Sequence, residues 1–360
     1  MVRRVFGFSF VCAVSLAGCS YHVVPPQSYS RADTADPPIT TIAFDQDGNP
    51  YPFDPNAFGL AIPPQPKNSN SAFSVDRWYA DRGIEYDRAA VTASISDRIN
   101  GQLAANPDAR LVFLIHGFNN SFERGRLAFE GVRTAIRETE AENRLVFVQV
   151  HWDGLFKGKG TAPAPLTYWG KSLTYSNLAG LCGLRRVLTA LPQDRDVTFL
   201  THSRGAAVAL SAATDPEWDA HIKVCPSPDR PSSDADIRLV SYAPAVGDGH
   251  IRDAAGAVQL KHYDYFDRIY AGFNPIDSAT SKSRLGIRIG GRRGGDTRLG
   301  SEKSYIELIK ARSQGRFDYV SFSSADHSWA AYLAARDPSE CLLWAGKLID
   351  QRPTDCSLER

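Results

Sequence analysis

Ser203 stands where an apolar segment meets a run of small residues. The segment Asp196–Leu200 is typical of a buried strand, and Ala206–Ala213 contains only alanine, valine, leucine and serine. A hydroxyl on a sharp turn between a strand and a helix is exposed, and small neighbours let the two elements approach closely. Ser203 is therefore a candidate nucleophile. A serine at this position can also be an ordinary helix N-cap, and the turn alone does not decide between the two.

A second turn that could serve chemistry follows the apolar segment Arg110–Ile115. The chain there reads His-Gly-Phe-Asn-Asn from His116, and Gly117 permits a backbone turn that other residues resist. Backbone amides in such a turn can bind negative charge that develops on an oxygen atom. Loss of one such donor typically costs about two to three orders of magnitude in rate. His116 itself is predicted to be structural, with its imidazole buried and satisfied by the backbone.

The segments that must position these turns alternate between strand-like and helix-like patterns. Asn120–Glu123 resembles a capping box that opens a helix towards Glu138, and leucines from Leu178 to Leu191 recur at helical spacing. The alternation predicts an α/β fold with a parallel sheet and helical crossovers. Six apolar runs, most of them continuous as in strands buried on both faces, are the predicted strands: Arg110–Ile115, Arg144–Val150, Asp196–Leu200, Arg238–Tyr242, Arg268–Ala271 and Asp318–Phe322.

Two motifs carry a resemblance to a known family. Thr201–Gly205 reads T-H-S-R-G, a G-x-S-x-G nucleophile elbow with threonine in place of the first glycine, and His116–Phe122 reads H-G-F-N-N-S-F. From about Phe73 to Leu348 the chain resembles the α/β-hydrolase superfamily. Within it, the chain resembles a bacterial group of uncharacterised serine hydrolases with HGFNNSF-like and AHSMG-like motifs. The resemblance implies an α/β-hydrolase fold, with a mostly parallel central sheet and helices on both faces, and no cofactor.

The resemblance also implies roles for particular residues. Ser203 would be the nucleophile, and the amides of Phe118 and Arg204 would form the oxyanion hole. The superfamily orders its triad as serine, acid and histidine along the chain. His327, which follows the predicted strand Asp318–Phe322, is the histidine beyond the acid candidates. Its neutral imidazole could accept the serine proton and return it to the leaving group.

Two aspartates compete for the acid position. Asp277 follows the predicted strand Arg268–Ala271 in a proline-containing turn, which is the usual acid position of the superfamily. Asp248 follows the preceding strand, from which some members draw the acid. A buried carboxylate would hold the imidazole in one tautomer and stabilise the imidazolium. We expect Asp277 to be the acid and keep Asp248 as the alternative.

The expected activity is cleavage of an acyl ester, in a small molecule or a lipid, through an acyl-enzyme. Trp152, Tyr168 and Trp169 could line an acyl pocket, although aromatic residues at strand ends more often pack in the core. Three alternatives stay open, because a fold does not determine a function: a non-catalytic envelope lipoprotein that uses the fold as a binding scaffold, a serine peptidase and an acyltransferase.

Residues 1–18 have the pattern of a secretion signal. Two arginines precede an apolar run, Val5–Ala17, that is too short to span a bilayer. The run ends in Leu-Ala-Gly-Cys, which looks like a bacterial lipobox, in which the cysteine, here Cys19, is acylated and becomes the mature N-terminus. The residue after the cysteine is Ser20 rather than aspartate, which resembles the sorting signal of outer-membrane lipoproteins. We therefore expect a lipid-anchored protein of the bacterial envelope, in the outer membrane.

The proline content changes along the mature chain. Ten of the 22 prolines lie between Ser20 and Lys67. Prolines favour extended backbone, so residues 19–72 are predicted to form a semi-rigid tether that lifts one hydrolase domain, residues 73–360, off the membrane. Tyr51, Phe53 and Phe58 suggest that the later part of the tether packs on that domain.

Four cysteines remain in the mature domain, an even number in an oxidising compartment, and their spacing fits no metal site. Two disulfides are expected. The short loop favours pairing Cys341 with Cys356, which leaves Cys182 for Cys225.

The overall charge does not favour nucleic acid as a partner, since lysine and arginine number 41 and acidic residues 40. The insertion 281–316 is locally basic, with ten basic and three acidic residues. We expect it to be a mobile loop on the face of the triad. One hypothesis is that this loop holds an anionic substrate or an anionic lipid surface near the site, with Arg204 adding to the field. The alternative is a solvated loop without function.

Overall fold

The computed structural model describes residues 20–27, 39–52, 60–66, 73–137, 144–157, 165–214, 231–247, 250, 265–281, 297–324 and 326–359. Its strands are β1 Ser20–Tyr21, β2 Ile39–Phe44, β3 Arg110–Ile115, β4 Leu145–Trp152, β5 Phe156–Lys157, β6 Val197–His202, β7 Ile237–Tyr242, β8 Arg268–Phe273 and β9 Phe317–Ser321. Seven of these strands form one sheet in the order β2-β4-β3-β6-β7-β8-β9, and every neighbouring pair is parallel. A two-stranded antiparallel sheet pairs β1 with β5.

Helices connect the strands of the large sheet. None of the helices in the described ranges is both long and apolar enough to cross a membrane. The α-helices are α1 Val75–Ala80, α2 Arg88–Ala105, α3 Phe122–Arg137, α4 Pro165–Leu178, α5 Arg185–Thr189, α6 Gly205–Ala213, α7 Lys303–Arg312, α8 Trp329–Ala334 and α9 Arg336–Ala345. A π-helical segment, Ala179–Leu184, joins α4 to α5.

The sheet is covered on both faces, as the continuous apolar strands predict. Successive side chains of β3 alternate between two core clusters, because neighbouring residues of a strand point to opposite faces. Phe113 packs in the cluster that contains apolar residues of α2, α6 and α7, whereas Val112 and Leu114 pack in the cluster with α3, α8 and α9. The predicted fold class, a mostly parallel sheet with helices on both faces, is confirmed.

The predicted boundary between tether and domain needs correction. β2 lies within residues 19–72, yet it forms an edge of the large sheet beside β4. The proline-rich stretch 60–66 also contacts the domain, since Ala61 O accepts a hydrogen bond from Tyr79 Oη at 2.6 Å. The described parts of this segment are therefore part of the globular body. Proline in a stretch of sequence indicates extended backbone, but it does not indicate whether that backbone lies free or against a core. Residues 1–19 lie outside the described residues.

The structure joins Cys341 to Cys356 by a disulfide bond with a Cα–Cα distance of 5.0 Å. Both residues are buried in the cluster that covers the α9 face of the sheet. Cys182 is buried in the π-helical segment and is also disulfide-bonded. Its predicted partner, Cys225, lies outside the described residues.

Candidate active site

Ser203 occupies a strained turn between β6 and α6. Its φ is +53°, in the left-handed region that residues with a side chain rarely adopt. The turn is held on β7 and its following loop, because Ser203 N donates to Tyr242 O at 2.8 Å and Ser203 O accepts from Ala245 N at 3.0 Å. Such bonds to a neighbouring strand can maintain a strained backbone.

Two glycines make room for this turn. A Cβ atom on Gly205 would lie 2.5 Å from Ile115 O, so helix α6 could not pack against the end of β3 with any larger residue there. A Cβ on Gly117 would lie 2.8 Å from the Cβ of Ser203. The His116–Phe122 loop therefore lies directly against the serine. Thr201, where the usual motif has glycine, is buried and donates its hydroxyl to Ser241 Oγ at 2.8 Å on β7.

The structure brings Ser203, His327 and Asp277 together from three separate strand ends. Ser203 Oγ lies 2.8 Å from Nε2 of His327, and Nδ1 of His327 lies 2.8 Å from Oδ2 of Asp277. Asp277 is fully buried, whereas 22% of the His327 side chain is exposed. The hydroxyl, the imidazole and the carboxylate thus form one line of hydrogen bonds that reaches solvent at the imidazole. Asp248, the alternative acid, lies outside the described residues.

The carboxylate of Asp277 accepts hydrogen bonds at both oxygens. Oδ1 accepts from the amides of Ala279 and Thr280, each at 2.8 Å, while Oδ2 accepts from Tyr332 Oη at 2.6 Å in addition to His327. Burial alone would raise the pKa of Asp277, but the hydrogen bonds from His327, Tyr332 and Thr280 hold it well below its ordinary value. Asp277 is therefore ionised at neutral pH and can stabilise a positive charge on His327.

His202, Asn274 and Tyr332 position the triad, and the sequence interpretation missed all three. Nε2 of His202 donates to His327 O at 2.7 Å, and its ring stacks on Trp329 at 5.6 Å. Burial, with His327 nearby, lowers the pKa of His202 to about 3, so it is a neutral donor. Nδ2 of Asn274 donates to Tyr332 Oη at 3.0 Å and to Ser324 O in the loop that carries His327. His202 belongs to the T-H-S-R-G motif, but no local pattern identifies what it or the other two residues bond, because their partners lie 50 or more positions away.

The predicted oxyanion residues flank the serine in space. Phe118 follows Gly117 in the loop that contacts Ser203, and Arg204 precedes the first turn of α6. Contrary to the prediction, the Arg204 side chain does not add to the positive field of the basic insertion at the surface. It is fully buried and donates to Ser176 Oγ at 2.9 Å and Ala245 O at 3.1 Å. Its guanidinium instead fastens α4 and the loop after β7 beside the serine.

His116 has the environment predicted for a structural imidazole. It is fully buried, Nδ1 donates to Gly117 O at 2.8 Å, and Nε2 accepts from Trp152 N at 3.3 Å. Burial lowers its pKa to about 4, so it stays neutral. His116 O also accepts from the indole of Trp152 at 2.7 Å. These bonds hold the turn before Gly117 against the end of β4.

Aromatic side chains form an apolar wall next to the His116–Phe122 loop. Phe118 packs edge-to-face on Trp169 at 4.9 Å between ring centroids, and lies 5.2 Å from Tyr168. Tyr168 donates to Asn119 Oδ1 at 2.9 Å, which ties α4 to the loop. Trp152 is completely buried and belongs to the core. Of the three aromatic residues weighed as pocket lining, Tyr168 and Trp169 therefore stand by the site and Trp152 does not.

The start of the basic insertion 281–316 lies beside Asp277, and Thr297 within it contacts the same turn. Ser281 N donates to Asp277 O at 3.1 Å, and Thr297 Oγ1 donates to Thr280 O at 2.7 Å. The insertion therefore begins on the face of the triad, but it does not form a loop along its whole length. Helix α7 lies within it and packs in the core, and the insertion ends at Arg316, immediately before β9 at the opposite ends of the strands. The expectation of a single mobile loop is wrong for this described part. Residues 282–296, with Arg288, Arg292 and Arg293, lie outside the described residues. The guanidinium of Arg298 stacks over the ring of Tyr305 at 4.5 Å.

Comparison with known proteins supports the fold. Residues 91–225, which hold both sequence motifs, match a family described as alpha/beta hydrolases of unknown function (DUF900). No match is found among curated proteins. Together with the parallel sheet, this gives the chain an α/β-hydrolase fold.

Several solved structures are similar to the chain at low identity. A propionate-bound esterase of the Planctomycetes species Thermogutta terrifontis is 13% identical, with 69% of this chain and 88% of that chain covered and a TM-score of 0.34. An acetyl ester-xyloside bifunctional hydrolase of Caldicellulosiruptor lactoaceticus is 12% identical, with 67% and 85% covered and a TM-score of 0.34. Esterase B of Lactobacillus rhamnosis is 12% identical, with 67% and 76% covered and a TM-score of 0.32.

Proposed function

We propose that the chain is a serine hydrolase that cleaves an acyl ester through an acyl-enzyme. The observation that carries the proposal is the line of two hydrogen bonds, each 2.8 Å, from Ser203 Oγ through His327 to Asp277. A serine used only as a helix N-cap needs neither a histidine at its hydroxyl nor a left-handed backbone. The arrangement suits a serine whose proton must be removed.

In the first half of the reaction, Ser203 Oγ attacks the ester carbonyl carbon as its proton passes to Nε2 of His327. The positive charge on the imidazolium is stabilised by Asp277, which accepts the Nδ1–H hydrogen bond. The carbonyl oxygen becomes an oxyanion, which the amides of Phe118 and Arg204 bind. When the intermediate collapses, the bond to the leaving alcohol breaks and His327 returns the proton to that alcohol.

In the second half, water replaces the alcohol. His327 removes a proton from the water molecule, the resulting oxygen nucleophile attacks the acyl carbon, and the bond to Ser203 breaks as His327 protonates Oγ. These steps need no cofactor. The apolar wall of Phe118, Tyr168 and Trp169 beside the serine favours an acyl chain over a charged group on that side.

A fluorophosphonate probe tests the nucleophile directly. The wild-type protein should be labelled once, and Ser203→Ala should lose both labelling and hydrolysis of a short-chain nitrophenyl ester, by about 10⁶-fold in kcat. Ser323→Ala is the matched control, because this exposed serine lies in the loop of His327. It should be labelled like the wild type. A folded wild-type protein that is not labelled would instead favour the binding-scaffold alternative, and undiminished labelling of Ser203→Ala would place the nucleophile elsewhere.

We further propose that acylated Cys19 anchors the hydrolase to the bacterial envelope. The support is the sequence of residues 1–19, an apolar run of limited length that ends at a lipobox-like cysteine. Cys19→Ser should release the protein from membranes, and globomycin, which blocks cleavage of lipoprotein signals, should accumulate the precursor. A wild-type protein that is soluble with an unmodified N-terminus would contradict the anchor.

A further inference from the structure

The chain is fixed to the globular body immediately after Cys19. Ser20 and Tyr21 form β1, which pairs with Lys157 and Phe156 of β5. The next residue, His22, is fully buried, and its Nδ1 bonds the buried carboxylate of Asp153. The same carboxylate accepts from Val23 N at 2.9 Å, and His22 O accepts from Gln65 Nε2 at 2.7 Å. A buried pair of this kind is costly to break, because separation leaves one polar group unsatisfied.

Strand β5, which pairs with β1, lies close to the carboxyl ends of the parallel strands. These ends form the carboxyl edge of the large sheet, which carries the triad. Because β3, β4 and β6 are parallel, their carboxyl ends lie together, and the register aligns Val150 of β4 with Ile115, and Ile115 with Thr201. Phe156 lies four residues beyond the end of β4 at Trp152. The position of a Cβ on Gly154 is 3.5 Å from Phe118 Cα, so the chain that leads into β5 touches the loop that contacts Ser203.

We infer that the lipid anchor and the mouth of the active site lie on one edge of the domain. The active site therefore faces the membrane that carries the protein, and its substrates are ester lipids of that membrane. This inference rests on the proposed function and on acylation of Cys19, which lies outside the described residues. Only Cys19 separates the lipid from β1, and one extended residue spans at most about 3.6 Å. Because this link is so short, the domain cannot rotate to bring the amino ends of its strands towards the membrane.

The side chains on this edge suit a lipid surface. Tyr21 and Phe156 pair at 5.6 Å between ring centroids, and both are only partly buried. Aromatic residues are enriched where a protein meets the membrane interface. Ile276, next to Asp277, has 54% of its surface exposed, the largest fraction among the exposed large apolar residues of the described chain. These residues present apolar surface on both sides of Ser203, where an acyl chain could leave the bilayer.

Orientation can be measured without catalysis. In a lipidated Ser203→Ala background, an environment-sensitive fluorophore on Ile276→Cys reports on the carboxyl edge. The same fluorophore on Asp194→Cys reports on the amino edge, where the Asp194 side chain is 80% exposed. In vesicles of phosphatidylethanolamine and phosphatidylglycerol, nitroxide-labelled lipid should quench the first fluorophore at least about twofold more than the second. Equal quenching, or stronger quenching at residue 194, would overturn the inference.

The substrate class can be tested with the lipidated wild type in the same vesicles. A fluorogenic phospholipid ester is placed either in the vesicles that carry the protein or in separate vesicles. Hydrolysis in the carrier vesicles should be at least tenfold faster. A 30-residue glycine-serine insertion between Cys19 and Ser20 should reduce that ratio while hydrolysis of a soluble nitrophenyl ester stays unchanged. A ratio near one in the wild type, or a ratio unaffected by the insertion, would overturn the inference. Loss of nitrophenyl ester hydrolysis would instead contradict the proposed function, while the quenching result would still decide orientation.

Discussion

The amino edge of the central sheet, where the parallel strands begin, and its carboxyl edge, where they end, differ in the number and the surroundings of their charged side chains. At the amino edge, the buried guanidinium of Arg110 bonds Asp196 and Asp236, and Asp236 also pairs with Arg238 and Lys347 at 2.8 Å each. This cluster borders a cleft of about 420 Å³. Each of these charges has an opposite partner, so the cluster joins strand ends and leaves no side chain poised to react.

The carboxyl edge has fewer charges and a different balance. Asp277 is ionised, the imidazole of His327 is partly open to solvent, and the serine backbone is strained. The contrast teaches that a large, charged cleft does not mark the reactive end of this molecule. A strained hydroxyl beside an oriented imidazole does, because a reaction needs a group whose proton can leave. Four variants test this contrast.

The largest effect is expected for Asp277→Asn. An amide cannot hold the Nδ1–H tautomer of His327 or stabilise the imidazolium, so kcat for a nitrophenyl ester should fall about 10⁴-fold with little change in KM. Asp248→Asn is the matched variant and should keep wild-type activity. The reverse pattern would move the acid to the loop after β7.

The disulfide of Cys341 and Cys356 should contribute to stability alone. It closes a loop of 15 residues, for which chain entropy predicts a loss of about 3 kcal/mol in the free energy of unfolding when both residues become serine. Urea denaturation measures the loss, and kcat at 25 °C should be retained. Mass spectrometry without reduction should find no free thiol in the mature wild-type domain. Two free thiols would mean that one predicted bridge is absent.

Removal of one positioning hydroxyl should have a smaller effect on catalysis. Tyr332→Phe deletes the hydrogen bond to Asp277 Oδ2, and a bond to a charged group contributes about 1.5 kcal/mol, so kcat should fall about tenfold with KM unchanged. Tyr242→Phe is the control, because this buried tyrosine bonds Ser339 instead of the triad. It should lower the melting temperature without lowering kcat. Equal loss of kcat in both variants would reduce Tyr332 to a packing residue.

The smallest effect is expected at the amino edge and depends on pH. Burial alone would raise the pKa of Asp236, but bonds from Lys347, Arg238 and Arg110 lower it to about 2. A carboxylate with a lowered pKa stabilises the folded state above its unfolded pKa of about 3.9, and this contribution is lost as the pH falls towards 2. Because Asp236 is partly exposed, Asp236→Asn should lower the free energy of unfolding at pH 7 by only about 1 kcal/mol.

The difference between wild type and Asp236→Asn should shrink as the pH falls from about 4 to about 2. Urea denaturation across this range measures it. Asp194→Asn is the control, because the Asp194 side chain is exposed and its contact with Arg195 is long, at 4.0 Å. This variant should change neither stability nor kcat. A loss of kcat in Asp236→Asn would show that the two edges are coupled, which the contrast between them does not predict.

The sequence by itself determined the features that depend on near neighbours in the chain. Continuous apolar runs predicted six strands of the large sheet, with β3 at the observed bounds Arg110–Ile115, because a strand buried on both faces needs apolar residues at every position. The capping pattern Asn120–Glu123 predicted that a helix opens within these four residues, and α3 begins there, at Phe122. Strand β2 was not predicted, because its six residues lie among prolines. The proline-rich composition was given more weight than the short apolar pattern.

Only the tertiary structure decided which distant residues meet. The leucine spacing from Leu178 predicts one continuous helix, but the chain widens into a π-helix where a Cβ on Gly180 would lie 2.3 Å from Val208 O, so packing against α6 governs that segment. The pairing of His22 with Asp153 spans 131 positions, and that of Tyr332 with Asp277 spans 55. A polar side chain has no local preference that identifies such a partner, because the bond forms only after the strands have assembled and excluded water from both groups.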